Sequence, residues 1–391
     1  MITDAFRSRV LAAYDASPTQ IEELLAYNHN TFDHRGLALP LTFPLTPEFH
    51  VSAWDAYALE ASTIGTFKAL QKRLVQLWFP IREGISQSEP YRAATRRGVA
   101  ADKIAEATGL TLTFPDQLQL RMHHSIVGRI PVLIPGCRED FVRLIQAFTM
   151  RNEPLPVPTS MGACTVGGYN NWDRIWALRQ DWEATRTFTG EDWNQAFERI
   201  RAQKELYQDR FMIVSDGPYS NVSAADLGLL PDEWQRLSFT IRLEHECTHY
   251  FTHRIFGSMR DHAMDELIAD YFGMVMAVGC FRLDWFLHFM GLEAFPAYRE
   301  GGRLQNYRGR PPLSDDAFSI LQQLVKDAAE NLGQFDHVHA DTLRREAEAG
   351  HMLLALTSLT LEELASPQGG FRLYGAWQAV RQNGLSSDDP N

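Results

Sequence analysis

Apolar residues recur at helical spacing through most of the first hundred residues. Ser17 and Gln20 have the spacing of a capping box, and apolar residues follow them with the period of a helix. A longer pattern of the same kind extends from Ser52 to Phe79. The sequence therefore predicts a helical scaffold at the start of the chain.

Strand-like patterns appear in the middle of the chain. Segments 118–122 and 130–134 are short and rich in apolar residues, and Gly128 between them marks a turn, so we predict two strands. Segment 211–215 has the same character and ends at Asp216, where turn residues follow. We therefore expect an α+β fold that is predominantly helical, with a short sheet upstream of its last helices.

The segment 156–172 is rich in glycine, proline and asparagine, with aromatic residues between them. Its glycines match neither the dinucleotide-binding spacing nor that of the P-loop. We therefore predict an ordered structural loop rather than a phosphate-binding one.

Two consecutive helices are predicted further along the chain. Pro231 suits the first turn of a helix, and the helical pattern continues to Phe256, where Gly257 provides a stop. A second helix is predicted over 261–278 after a short turn. The rest of the chain is mainly helical, and 386–391 should form a frayed tail.

Composition and charge indicate which classes of protein and partner to expect. The chain of 391 residues is 45% hydrophobic and 22% charged, as in ordinary soluble globular proteins. Its formal charge of -12 and the lack of a basic stripe predict no nucleic-acid partner. No stretch approaches about 18 uncharged apolar residues, and the first residues lack a signal-peptide pattern, so we expect a cytoplasmic protein with no membrane contact. The four cysteines have no CxxC spacing, which is typical of reduced thiols.

The motif that carries chemistry is HExxH, formed by His245, Glu246 and His249. It lies in the segment predicted to be helical on independent grounds. Residues four apart share one face of a helix, so both imidazoles can reach one metal ion while Glu246 is offset beside them. Cys247, inside the motif, is expected to be a small buried helix residue.

A second pair of acidic residues follows on the next predicted helix. Glu266 and Asp270 are four apart and therefore share a helix face. The combination resembles the gluzincin metallopeptidases, the thermolysin-like group, which carry HExxH on one helix and a glutamate ligand followed by ExxxD on the next. The similarity covers about thirty residues of the chain.

This resemblance implies roles for individual residues. His245, His249 and Glu266 would be the ligands of Zn²⁺, Glu246 the general base, and Asp270 the partner of a ligand imidazole. It also implies two domains, which are a mainly helical N-terminal region, 1–204, with a short β segment and a Gly-rich loop, and a zincin-like catalytic domain, 205–391.

The chemistry of these residue types agrees with that assignment. Two neutral imidazoles and one carboxylate leave a fourth tetrahedral position for water, whose pKa falls to about 7 on zinc. Glu246 can then take the proton of that water as it attacks a carbonyl. Asp270 would fix the tautomer of one histidine from behind.

Other residues compete for the third ligand position. His253 continues the four-residue series, but a straight helix rises about 6 Å over four residues, so three successive members do not easily converge on one ion. His262 and Asp265 stay open as alternatives, with Glu266 preferred because Asp270 accompanies it. A metzincin would need glycine and histidine where this chain has Thr252 and Ile255, which excludes that subclass.

Hydrolysis also needs a donor for the tetrahedral oxyanion, and such donors usually follow the second zinc helix. The candidates in this chain are Tyr307, which we place in the catalytic set, Arg303, His337 and His339. The segment 211–215 precedes the zinc helix as does the edge strand that aligns peptides in gluzincins.

Two nearby residues, Tyr219 and Asn221, could line the cleft, although ordinary turn positions are the favoured interpretation.

Three functions follow from this site. The leading prediction is a zinc-dependent metallopeptidase acting on a peptide or protein substrate. Two histidines and a carboxylate also bind non-haem iron in oxidising enzymes, which makes a second candidate that the bound metal would distinguish. A non-catalytic protein that keeps the zinc fold ranks last, because Glu246 is present.

Overall fold

The computed structural model describes residues 4–37, 41–185, 192–259 and 262–385, and within them the chain is mainly helical with one small mixed sheet, an α+β fold. No helix in these ranges is both long and apolar enough to cross a bilayer. The helices are α1 Asp4–Ala13, α2 Pro18–Tyr27, α3 Val51–Ile64, α4 Thr66–Gln71, α5 Glu89–Arg97, α6 Arg138–Thr149, α7 Trp172–Thr185, α8 Trp193–Arg201, α9 Pro231–Phe256, α10 Ala263–Val278, α11 Leu283–Met290, α12 Asp315–Leu343, α13 Glu346–Thr357, α14 Leu361–Ala365 and α15 Gly369–Leu385. The strands are β1 Gln119–Ser125, β2 Gly128–Ile134, β3 Ala163–Asn170 and β4 Gln208–Val214.

The chain divides into two compact units, one of Thr46–Gly217 and one of Met1–Leu45 with Pro218–Asn391. These units do not coincide with the division predicted between residues 204 and 205. The first two helices belong with the C-terminal helices because α1 packs on α14 and α2 on α12. A buried ion pair between Arg7 and Glu362 accompanies that packing.

The unit Thr46–Gly217 is built around the sheet, whose strand order is β1-β2-β4-β3. The predicted strands at 118–122, 130–134 and 211–215 are confirmed as β1, β2 and β4, although residues 118 and 215 lie one position outside the observed strands. The apolar side chains of Trp54, Phe141 and Phe211 belong to the buried core that packs on this sheet.

The strand β4 is not an edge strand, contrary to the role expected for 211–215. It pairs in parallel with β2 and antiparallel with β3, so its main-chain groups already have partners on both sides. An extended peptide cannot add to an interior strand. Alignment of a substrate along β4 is therefore excluded.

Two predicted segments differ from the structure at glycine residues. The segment 156–172 contains β3, where the predicted loop should be, and the pairing shifts between Val166 and Tyr169. Gly168 has a φ of +69° at that irregularity, which explains a glycine inside a strand.

The helical pattern predicted from Ser52 to Phe79 is interrupted at Gly65, whose φ of +88° ends α3 before α4 begins.

In the other unit, α9 and α10 form an antiparallel pair. α9 begins at Pro231 and ends at Phe256 as predicted, with Gly257 as a left-handed cap. The predicted turn at Arg260 and helix start at Asp261 lie outside the described residues. The two helices approach closely at Gly273, since a Cβ there would lie 2.7 Å from the carbonyl oxygen of Ile241.

The tail predicted at 386–391 also lies outside the described residues. All four cysteines are described and none forms a disulfide. Cys247 is buried within α9 as expected, whereas Cys280 is exposed.

Candidate metal centre

The structure brings His245, His249 and Glu266 together. The two imidazole Nε2 atoms are 3.1 Å apart, and each lies close to a carboxylate oxygen of Glu266, at 3.5 Å from His245 and 3.4 Å from His249. Their side chains are buried, with 7%, 7% and 3% of the residue surface exposed. The three residues singled out by sequence therefore converge on one point.

Helix geometry explains this convergence. His245 and His249 are one turn apart on α9, so their imidazoles emerge from one face. Glu266 lies in the first turn of α10. Because the helices are antiparallel, the start of α10 returns along the end of α9 and places the carboxylate beside the imidazoles.

The donor set of this cluster fits a divalent cation. Glu266 Oε2 is buried, and no hydrogen bond reaches it from any described residue. A buried carboxylate oxygen without a partner is costly in a folded protein. Two imidazoles and a carboxylate whose ligand atoms lie within 4.8 Å of one another are the ligand types and number of a catalytic zinc site.

Charges within the cluster are strongly coupled in the metal-free protein. Burial alone would lower the pKa of His249, but the hydrogen bond and charge of Glu266 outweigh it and raise the pKa to about 9. Burial would raise the pKa of Glu266, and the two histidines overcome this and hold it well below its usual range. Without a metal ion, the negative charge of Glu266 is therefore balanced by a proton on His249.

Asp270 and Tyr219 lie behind His245. Asp270 Oδ1 is 2.8 Å from His245 Nδ1, which is the contact that the sequence predicted for a partner of a ligand imidazole. The hydroxyl of Tyr219 is also 2.8 Å from that Nδ1 and donates to Asp270 Oδ1 at 2.6 Å. Tyr219 is buried, whereas the sequence favoured an ordinary turn position for it.

The short helical turn Arg303–Tyr307 supplies two further side chains. Arg303 donates to Tyr219 and Ser220 at 2.8 Å each and forms a closer contact with Asp270, so its guanidinium is engaged with the residues behind the histidines. An engaged guanidinium makes a poor oxyanion donor.

Tyr307 lies on the same turn, close enough to Glu266 for that carboxylate to affect its pKa. Burial, and then the charge of Glu266, raise the pKa of Tyr307 well above its usual value, so its hydroxyl keeps its proton at neutral pH and can donate. Of the four candidate oxyanion donors, Tyr307 is thus the one that combines a neutral hydroxyl with a position near Glu266.

A tyrosine of α2 holds this turn in place. The hydroxyl of Tyr27 donates to the carbonyl oxygen of Tyr307 at 2.5 Å and accepts from the main-chain N–H of Ala263 at 3.1 Å. Its ring stacks on His262, with ring centroids 4.6 Å apart. His262 therefore packs on Tyr27 and is not one of the three clustered residues.

The other candidates lie elsewhere. His337 is exposed on α12, and His339 packs against Phe335 and Trp377, so no contact between either of these two candidates and the clustered residues is seen in the described part of the chain. His253 is exposed one turn beyond His249. Asp265 is buried but does not belong to the cluster.

Glu246 differs from its neighbours in being partly exposed. Its negative charge contributes to the raised pKa of His249, which shows that the carboxylate lies near the cluster. A carboxylate at the accessible side of a buried donor set is suitable for taking up a proton from a molecule that enters from solvent.

Comparison with known proteins adds a family and no function. The profile of a family of unknown function, DUF7005, matches residues 9–368. The chain therefore belongs to that family. No curated protein and no solved structure matches it.

Proposed function

We propose that this member of the DUF7005 family is a zinc-dependent hydrolase of the gluzincin type that cleaves peptide bonds. The observation that carries the proposal is the buried meeting point of His245, His249 and Glu266. Its donor set, its spacing over two antiparallel helices and the partner behind one imidazole agree with each other.

Each residue of the site has a distinct part in the proposal. His245, His249 and Glu266 hold the ion, which when bound would polarise a carbonyl and lower the pKa of water to about 7. Glu246 takes up the proton released during attack and passes it to the leaving group. Tyr307 donates its hydroxyl hydrogen to the oxygen on which negative charge develops.

The choice of peptide bonds rests on the resemblance to gluzincins at the two zinc helices. The interior position of β4 removes one means of aligning a peptide and leaves the chemistry of the site unchanged. Substrate binding in this proposal therefore relies on side chains around the cluster and on Tyr307, which already lies beside Glu266.

Metal analysis after native purification tests the proposal. The wild type should contain about one equivalent of zinc, and His249→Ala should lose it, because two protein ligands hold zinc far less well than three. His253→Ala is the matched control, since it removes an exposed histidine one turn further along the same helix and should keep the zinc.

The same samples identify the alternative chemistry. Equal zinc in the wild type and His249→Ala would contradict the ligand assignment. Bound Fe(II) with oxygen-dependent turnover would replace hydrolysis by oxidation.

A further inference from the structure

The turn that precedes α9 has an unusual backbone. Ser220 and Asn221 are consecutive residues with side chains, and their φ angles are +52° and +57°. This left-handed region is costly for residues other than glycine and persists only where surrounding contacts impose it. Such strain is concentrated at functional sites, so the contacts that impose it here are informative.

Those contacts come from one face of α9. Trp234, Ser238 and Arg242 are spaced four apart and therefore line up along the helix. Their hydrogen bonds to the turn run from Trp234 Nε1 to Val222 O at 2.8 Å, from Tyr219 N to Ser238 Oγ at 3.0 Å and from Arg242 Nη2 to Pro218 O at 2.9 Å. The helix that carries the two histidines thus also fixes the turn that carries Tyr219.

The order of donors and acceptors around Tyr219 is determined by chemistry. The Asp270 carboxylate can only accept, so His245 Nδ1, which lies 2.8 Å from its Oδ1, must carry a hydrogen. The hydroxyl of Tyr219 therefore finds no acceptor at Nδ1 and donates its hydrogen to Asp270 Oδ1, while its oxygen accepts from Arg303. The lone pair of this imidazole is therefore left on Nε2, the atom that faces His249 and Glu266.

We propose that Tyr219 is a positioning residue of the metal centre, which fixes the Asp270 carboxylate and, through it, the tautomer and orientation of His245. The role rests on the proposed function, because it matters only if His245 binds a metal ion. Arg303 and the strained turn serve the same end, since one orients the hydroxyl and the other holds the ring in place.

The chain contains a matched control for this role. Tyr271 is also buried, donates to a buried aspartate, Asp336, and shares that aspartate with an arginine, Arg344. Tyr271, like Tyr219, thus shares a buried aspartate with an arginine, but within the described residues Asp336 contacts neither His245 nor His249. Tyr271→Phe therefore removes the same kind of hydrogen bond without touching the metal ligands.

The experiment compares zinc affinity in the wild type, Tyr219→Phe and Tyr271→Phe by competition with a chelator, with thermal melting of each metal-free protein alongside. We expect Tyr219→Phe to lose about 10–100-fold in affinity, the usual effect of removing a residue that orients a ligand. Tyr271→Phe should melt at a similarly lowered temperature and keep the wild-type affinity. Cobalt in place of zinc should give a shifted visible absorption spectrum in Tyr219→Phe alone.

Several outcomes would overturn the role. Wild-type affinity and an unchanged cobalt spectrum in Tyr219→Phe would do so, and so would equal losses in both variants, which would indicate general destabilisation. A wild-type protein that binds no zinc would remove the proposed function itself, which is a different result from zinc binding that is insensitive to Tyr219.

Discussion

Two carboxylates one turn apart on α10 have opposite surroundings. Asp270 is fully buried and accepts from Tyr219, Arg303 and His245, so its capacity as an acceptor is well used. Glu266 is nearly as buried, yet its Oε2 accepts no hydrogen bond from the described residues. The carboxylate of Asp270 therefore uses its oxygens to accept hydrogen bonds and orients an imidazole. The carboxylate of Glu266 keeps one oxygen that the proposed cation would bind.

Glu246→Gln tests the proton acceptor. The amide keeps the size of the side chain but cannot take up a proton, so zinc content and folding should be unchanged while peptide hydrolysis falls by about 10²–10⁴-fold. Turnover and metal content are measured on the same preparation. Glu233→Gln, in the first turn of the same helix, should keep full activity, and retained turnover in Glu246→Gln would contradict the mechanism.

The raised pKa of His249 predicts how zinc affinity depends on pH. In the metal-free protein this histidine carries a proton below pH 9, and zinc binds only the neutral ring, so binding must displace that proton. Apparent affinity should therefore rise with pH, by up to about tenfold per unit between the ordinary value of 6.5 and about 9. Chelator competition across this range measures the slope, and calorimetry in two buffers measures the released proton. A flat profile would contradict the coupling to Glu266.

Most of the cluster could be predicted from sequence because it depends on helix periodicity. The pairing of His245 with His249 follows from four-residue spacing, which is local, whereas Glu266 was preferred because of the resemblance to gluzincins and its own four-residue spacing from Asp270. The contact of Tyr219 with His245 could not be predicted, since it depends on a strained turn that is held by hydrogen bonds to buried residues of α9. No periodic pattern in a sequence encodes that geometry.

At the level of elements, the site depends on how closely α9 and α10 pack. Gly273 lies opposite Ile241, and a Cβ there would be 2.7 Å from a backbone oxygen that cannot move away cheaply. The histidines and Glu266 lie further along the same contact. Separation of the two helices at Gly273 would therefore move the two histidines away from Glu266.

Gly273→Ala should accordingly lower both stability and zinc affinity. Overpacking of this kind typically costs about 1–3 kcal/mol, which outweighs the roughly 1 kcal/mol that alanine gains over glycine in a helix. Gly333→Ala on α12 is the control, because a Cβ there meets its nearest atom at an ordinary 3.5 Å, and this variant should be as stable as the wild type or more so. Urea unfolding and chelator competition give the two readouts, and equal behaviour of the variants would contradict close packing at Gly273.

The elements with defined ends were also those that the sequence predicted best. α2 has the capping box at Ser17, and α9 has its proline start and glycine stop, so local chemistry sets their limits. The strand β3 was mistaken for a loop because its glycines belong to an irregularity in the ladder. Turn-forming composition alone does not separate a bulged strand from a loop.

Across the whole molecule, the beginning of the chain belongs with its end. Arg7 on α1 contacts Glu362 on α14 through two hydrogen bonds of 3.2 and 3.1 Å, and Asn28 donates to the same carboxylate at 3.0 Å. The pair is separated by 355 positions, so no local pattern could indicate it. This contact is one reason why the observed units differ from the predicted division at residue 204.

Arg7→Ala should destabilise the protein in a way that depends on pH. Glu362 is buried, which raises its pKa, and the charge and hydrogen bonds of Arg7 offset this only in part. Removal of Arg7 leaves an uncompensated buried carboxylate, a change that typically costs about 3–5 kcal/mol at neutral pH. Because the pKa in the folded state lies above that in the unfolded state, protonation favours the folded protein, and the deficit should shrink as the pH falls through the raised pKa toward 4.5.

Two further variants isolate the charge of Glu362 from the loss of the Arg7 side chain. Arg7→Ala combined with Glu362→Gln replaces the stranded carboxylate by a neutral amide, so the double variant should be more stable at neutral pH than Arg7→Ala alone and show less pH dependence. Arg9→Ala, at an exposed position of the same helix, should unfold like the wild type. Urea unfolding followed from neutral to acidic pH distinguishes these cases. If Arg7→Ala had a deficit that was constant with pH, packing of the arginine side chain rather than the buried charge would join the two ends of the chain.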